Sequence, residues 1–175
     1  MAVYFPESNI LYIHFPKTGG LSFYKVLYHS KIVYEDQGFQ HDTVDMLGKR
    51  FFINKPKVVV FSREKFSWFE SYHRWRSRNI AKFDLPGSNE NWHPKWAIEE
   101  LYDPDFNTFM SNVEMIYPQY YEHLCDRYYN PPTFDMTIYP FEDFENSYKD
   151  LFDKLGYEID FENYPKSNTT RFEKI

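Results

Sequence analysis

Apolar residues in this chain gather into short runs separated by polar, glycine- and proline-rich joints. Ile10 to Phe15 is one continuous apolar run and reads as a buried strand. Leu21 to His29 has helical spacing, and Lys31 to Tyr34 reads as a short second strand. Asp42 is placed to cap a short helix over Thr43 to Leu47, which Gly48 would end. Lys57 to Ser62 is β-branched and apolar on both faces, the pattern of a strand covered on both sides. Helix is expected from Phe66 to Ile80, then over Lys95 to Leu101, Phe106 to Val113 and Pro118 to Cys125. The loop between them, Asp84 to Pro94, contains Pro86-Gly87-Ser88-Asn89. Asn130-Pro131-Pro132 breaks the chain again. Phe134 to Tyr139 reads as a strand and Asp143 to Leu155 as an amphipathic helix ended by Gly156. The tail, Tyr157 to Ile175, is polar and irregular. Strands alternating with helices imply an α/β layer fold around a parallel sheet, with ligands beyond the carboxyl ends of the strands.

Composition narrows the picture. With 175 residues the chain has room for one domain and a real core, and no internal repeat divides it. Hydrophobic residues make up 42% and charged residues 26%, as in ordinary globular proteins. Aromatic residues reach 22%, which suits a core edged with tyrosines, an aromatic wall for a sugar or base, or a covered dimer face. A net charge of -6 argues against nucleic acid as a partner. The single cysteine, Cys125, excludes an internal disulfide framework and an all-cysteine zinc site. Met1 to Asn9 lacks a basic start and an apolar run, and no segment reaches the roughly 20 apolar residues of a membrane span, so a soluble, cytoplasmic protein is expected.

Two stretches carry chemistry. In Tyr12-Ile13-His14-Phe15-Pro16-Lys17-Thr18-Gly19-Gly20-Leu21-Ser22 a strand runs into a tight loop and then a helix. That order gathers backbone amides, an ammonium and hydroxyls at a helix N-terminus, a site for a phosphate-like anion rather than a plain turn. Gly19 and Gly20 would let the backbone approach a ligand closely. The Walker A pattern is absent, because the lysine precedes the glycines. In the second stretch, Arg63 stands at the end of the clearest strand, and Ser67, Ser71, Arg74 and Arg78 share one helix face. From Arg63 to Arg78 there are five basic and two acidic residues, so this stretch is positive within an acidic chain. Alone it would pass for a solvated helix face. With the first loop, Arg63 and Ser71 are placed to close on one phosphate.

The pair of motifs resembles the sulfotransferases that use 3′-phosphoadenosine 5′-phosphosulfate (PAPS). Tyr12 to Ser22 is similar to the 5′-phosphosulfate loop of the carbohydrate branch, His-Ile-Pro-Lys-Thr-Gly-Gly-Thr-Ser. Arg63 to Tyr72 resembles the family's 3′-phosphate motif, an Arg with a Ser eight residues later. Tyr139-Pro140-Phe141-Glu142-Asp143-Phe144, leading to Leu155-Gly156-Tyr157, looks like a later strand–helix segment of the same family. The resemblance spans roughly residues 10 to 170. Leu21 departs from it where Thr is usual, and Lys65 stands where Pro often follows the Arg.

The resemblance implies a single P-loop-like, three-layer α/β domain with a central, mainly parallel sheet. It implies transfer of a sulfuryl group from PAPS to an acceptor hydroxyl, with a glycan as the preferred acceptor class and lipid, small alcohol, amine and tyrosine acceptors open. Pro16, Lys17, Thr18, Gly19, Gly20, Leu21 and Ser22 would hold the 5′-phosphosulfate, with Lys17 also on the leaving oxygen. Arg63 and Ser71 would hold the 3′-phosphate. Arg171, in the basic, hydroxyl-rich tail, would cover the 3′-phosphate or the adenine. His41 is the first candidate for the general base, with Glu35 and Asp36 as alternatives. His14 would support the loop, and His93, Trp92 and Trp96 are candidates for acceptor contact. No metal is required. A small Mg²⁺-dependent kinase with a variant P-loop is the competing enzyme class, disfavoured because the central strand ends in Ser62-Arg63 rather than Asp. A non-catalytic glycan-binding relative is the third reading.

Overall fold

The computed structural model describes residues 2–30, 32–38, 41–48, 50–78, 97–130 and 133–159. Among them five strands form one sheet: β1 Ala2–Phe5, β2 Ile10–Ile13, β3 Glu35–Gln37, β4 Lys57–Ser62 and β5 Met136–Pro140, in the order β3-β1-β2-β4-β5. β2 pairs parallel with β4, and β4 parallel with β5. β1 is antiparallel to both β2 and β3. The fold is therefore α/β with a mixed, mostly parallel sheet. One row crosses all five strands, Asp36–Val3–Tyr12–Val59–Thr137. β2, β3, β4 and β5 run the same way, so the loops that follow them emerge at one edge.

The described helices are α1 Gly20–Ser30, α2 Arg50–Asn54, α3 Lys65–Arg78, α4 Phe106–Ile116, α5 Tyr120–Tyr129 and α6 Phe144–Leu155, with short 3₁₀ turns at Val44–Met46, Ala97–Leu101 and Phe141–Asp143. Alternation along the strands divides the core in two. Tyr12, Val59, Phe61 and Tyr139 pack with Phe23 and Leu27 of α1 and Leu151 and Phe152 of α6. Leu11, Ile13, Val58 and Val60 pack with Trp68 and Tyr72 of α3, Phe109 of α4 and Leu124 of α5. Helices thus cover both faces of the sheet. No helix among the described residues is long and apolar enough to cross a membrane.

Several sequence expectations shift. Of the strand expected over Lys31 to Tyr34, Lys31 lies outside the described residues and 32–34 are not strand; the strand is Glu35–Gln37, and Ile32 is buried in the core cluster that includes residues of α1 and α6. β3 is an edge strand, so its residues need no apolar alternation to pair. β1 was unforeseen and makes the sheet mixed. It pairs through a hairpin whose last turn residue, Asn9, adopts φ 52°. The expected helix over Thr43 to Leu47 contracts to one 3₁₀ turn, flanked by Thr43 rather than capped by Asp42. α2 was also missed. The last helix holds, and Gly156 closes it at φ 79°. The expected loop Asp84 to Pro94, Trp92, His93, Trp96, Arg171 and nearly all of the tail lie outside the described residues.

Candidate functional site

The loop between β2 and α1 is held almost entirely through its carbonyls. The His14 carbonyl oxygen lies 3.3 Å from Nδ1 of His41. The Phe15 carbonyl accepts from the buried Thr18 hydroxyl at 2.7 Å, and the Pro16 carbonyl from Trp68 Nε1 at 2.9 Å. The Lys17 carbonyl accepts from Arg63 Nη1 at 2.7 Å. Four consecutive carbonyls therefore face four different side chains. The next turn closes through the Gly19 carbonyl, which takes the Ser22 and Phe23 amides at 2.8 and 3.1 Å. The Gly20 and Leu21 amides donate to no acceptor among the described residues, as expected in the first turn of a helix. Leu21 is 54% exposed there.

The two glycines answer to protein neighbours. A Cβ on Gly20 would lie 2.2 Å from Nε2 of His14, so the His14 ring fills that space. A Cβ on Gly19 would lie 2.9 Å from the Phe141 ring, and Gly19 also has φ 74°. His14 and Phe141 thereby fix the path of the loop from two sides.

Arg63 ties three strand ends together. Its Nε donates to Ser67 at 2.9 Å and its Nη1 to the Lys17 carbonyl, while its guanidinium lies 4.9 Å from the Phe141 ring centre. Nη2 has no hydrogen-bond partner among the described residues. The Glu64 amide donates to Glu142 at 2.8 Å, which joins the ends of β4 and β5. Glu64 in turn accepts the Phe66 and Ser67 amides at the start of α3, and these hold its carboxyl below the usual carboxylate range. Burial, opposed in part by Glu142, lowers the pKa of Arg63. Ser71 is half-buried two turns along α3, and Arg74 pairs with Glu70 at 3.2 Å.

Lys17 and His41 hold left-handed backbones, φ 67° and 71°, that residues other than glycine seldom adopt. Lys17 Nζ sits 4.9 Å from the centre of the Trp75 ring. Burial first, then the charges of Arg63 and Arg78, lower its pKa to about 7. His41 is buried, with its ring centre 4.6 Å from that of His14. Its carbonyl accepts from the Tyr128 hydroxyl at 2.5 Å. A carbonyl only accepts, so the contact between His41 Nδ1 and the His14 carbonyl needs the proton on Nδ1 and leaves Nε2 as the basic nitrogen.

The site thus gathers the loop residues, His41 and Arg63 at the carboxyl edge. Glu35 and Asp36 sit on the outermost strand, with β1 between them and β2. Sequence reasoning missed Tyr121 and Tyr128. They are seven apart on α5, and their hydroxyls reach the Arg63 and His41 carbonyls. Burial raises the pKa of both, which keeps each hydroxyl a donor. Their heptad spacing was the available signal. Trp68 and Phe141 likewise carried no role of their own in the sequence reading. Compared with known proteins, the chain matches no family model, no curated sequence and no solved structure.

Proposed function

We propose that this edge binds PAPS and that the protein is a sulfotransferase acting on an acceptor hydroxyl, with a glycan as the preferred acceptor class. On this reading the fold is P-loop-like. The four carbonyls tied at residues 14 to 17 carry it. A loop whose carbonyls at 14 to 17 each face a protein donor leaves its amides to an anion at the start of α1, beside Lys17. Arg63 supports it too, because its Nη1 bond to Lys17 makes one site of two motifs far apart in the sequence.

When bound, PAPS supplies a sulfuryl group on a phosphate leaving group. The first-turn amides and Ser22 would hold the 5′ end, and Lys17 would neutralise charge on the departing oxygen. Arg63 Nη2 and Ser71 would hold the 3′-phosphate, with Arg171 as a further candidate. Nε2 of His41 would take the acceptor proton as the new oxygen–sulfur bond forms.

Calorimetry with adenosine 3′,5′-bisphosphate (PAP) and with ATP, in EDTA, tests the cofactor. Micromolar PAP binding with little ATP binding is expected. Binding of ATP alone, and only once Mg²⁺ is restored, would replace this reading with the kinase.

A further inference from the structure

We propose that Trp75 is a positioning residue that holds the Lys17 ammonium on its indole face until an anion enters the loop. The backbone of Lys17 leaves its side chain little choice of origin. Its φ is 67°, its own carbonyl is held by Arg63, and the carbonyl before it is held by Trp68. Trp68 and Trp75 are seven apart on α3, two turns along one face. One tryptophan therefore fixes the loop's backbone, and the other receives the loop's side chain 4.9 Å from its ring centre, within cation–π range.

The indole is itself anchored. Trp75 packs against the core beneath α3, with its ring 5.9 Å from Tyr72, and Tyr72 stacks on Trp68. Among the described residues, the charged groups that face Lys17 are cations, Arg63 from the end of β4 and Arg78 from the last turn of α3. A neutral π face holds an ammonium among cations without neutralising it. A carboxylate in its place would compete with the ligand. A phosphate or phosphosulfate carries full charge and outcompetes the indole in a partly desolvated site. The side chain then swings on its four-carbon stem to the anion, and the loop's backbone stays where it is. The consequence for turnover rests on the sulfotransferase reading; the contact itself does not.

The test is NMR of the full chain with its lysines reductively ¹³C-dimethylated, which keeps their charge. One methyl signal should be displaced upfield by the indole ring current. It should vanish in Lys17→Arg, which assigns it, return to the normal range in Trp75→Leu, and stay partly displaced in Trp75→Phe. Saturating PAP should move it to the normal range in the wild type. Turnover should fall several-fold in Trp75→Leu and recover in Trp75→Phe. Absence of a displaced signal, or its survival in Trp75→Leu, overturns the proposal. If PAP fails to bind, the sulfotransferase reading falls separately, and inorganic pyrophosphate is titrated instead. A signal that stays displaced with either anion bound, or that no anion moves, overturns the release step.

Discussion

Lys17 and His41 make an instructive pair. Each stands just past a strand end in a left-handed backbone, a conformation that costs on the order of 1–3 kcal/mol and persists only where neighbours impose it. The neighbours differ in kind. Lys17 is imposed by charge and π face: Arg63 on its carbonyl, Trp75 under its ammonium, Arg78 nearby. His41 is imposed by hydrogen bonds and a ring contact: the Tyr128 hydroxyl, the His14 carbonyl and the His14 ring. The same backbone device thus supports two chemistries. Around Lys17 the charged groups among the described residues are cations, which suits an anion. The other site keeps an imidazole in one tautomer and suits a proton acceptor.

The largest effect should separate these roles. On the proposed mechanism, His41→Ala should lower turnover by about 10²–10⁴, the usual contribution of a general base, and leave PAP affinity within about twofold. Lys17→Met should lower turnover by about 10²–10³ and also weaken PAP binding about tenfold or more, since its charge meets the anion in the ground state as well. Steady-state kinetics and calorimetry on the two variants decide between one role and two. Equal losses of PAP affinity would erase the distinction. Retained turnover in His41→Ala would pass the base to Glu35 or Asp36.

A smaller effect should come through the packing that joins the two residues. His14 occupies the space of a Cβ on Gly20 and presents its carbonyl to His41. Gly20→Ala forces that ring aside, an overpacking worth about 1–3 kcal/mol. Gly48 has nothing within 4 Å of such a Cβ, so Gly48→Ala is the control and should be near neutral. Thermal denaturation of both should show a drop of several degrees for Gly20→Ala only. Equal melting temperatures would mean the His14 ring moves freely, and that His41 is not held through it.

What the sequence made legible follows from how local each signal is. β4 and α6 were readable because burial on two faces and a 3.6-residue stripe are written in neighbouring residues. The place of Lys17 between a strand and a helix was readable because strand, loop and helix are contiguous. The roles of Tyr121 and Tyr128 were not, because a hydroxyl reaching a carbonyl 58 or 87 positions away leaves only a heptad spacing that core packing also produces. β3 was misplaced because an edge strand of Glu, Asp and Gln has no hydrophobic alternation to read. That His14 and Phe141 take the space of the missing Cβ atoms was not readable, because a sequence shows that a Cβ is missing, not which atoms fill its place.

The last effect, read one pH unit at a time, sharpens the comparison most, because Lys17 should give two pH trends of opposite sign. Its pKa is about 7 in the folded chain against 10.5 for an ordinary lysine. Between those values the unfolded chain binds the extra proton, so this group's unfavourable contribution, fully present below pH 7, fades as pH rises and stability increases. A bound anion stabilises the ammonium and raises its pKa. Binding above pH 7 therefore takes up a proton, and affinity should fall by up to about tenfold per pH unit. The range from pH 7.5 to 9.5 is the one to use, because phosphate monoesters are already dianions there. PAP calorimetry and urea denaturation of the wild type and Lys17→Met, compared pH by pH, isolate the group. Affinity falling while stability climbs, both absent in Lys17→Met, is the expected result. Parallel pH profiles in the two proteins would mean that Lys17 is an ordinary ammonium, and the contrast with His41 would then rest on geometry alone.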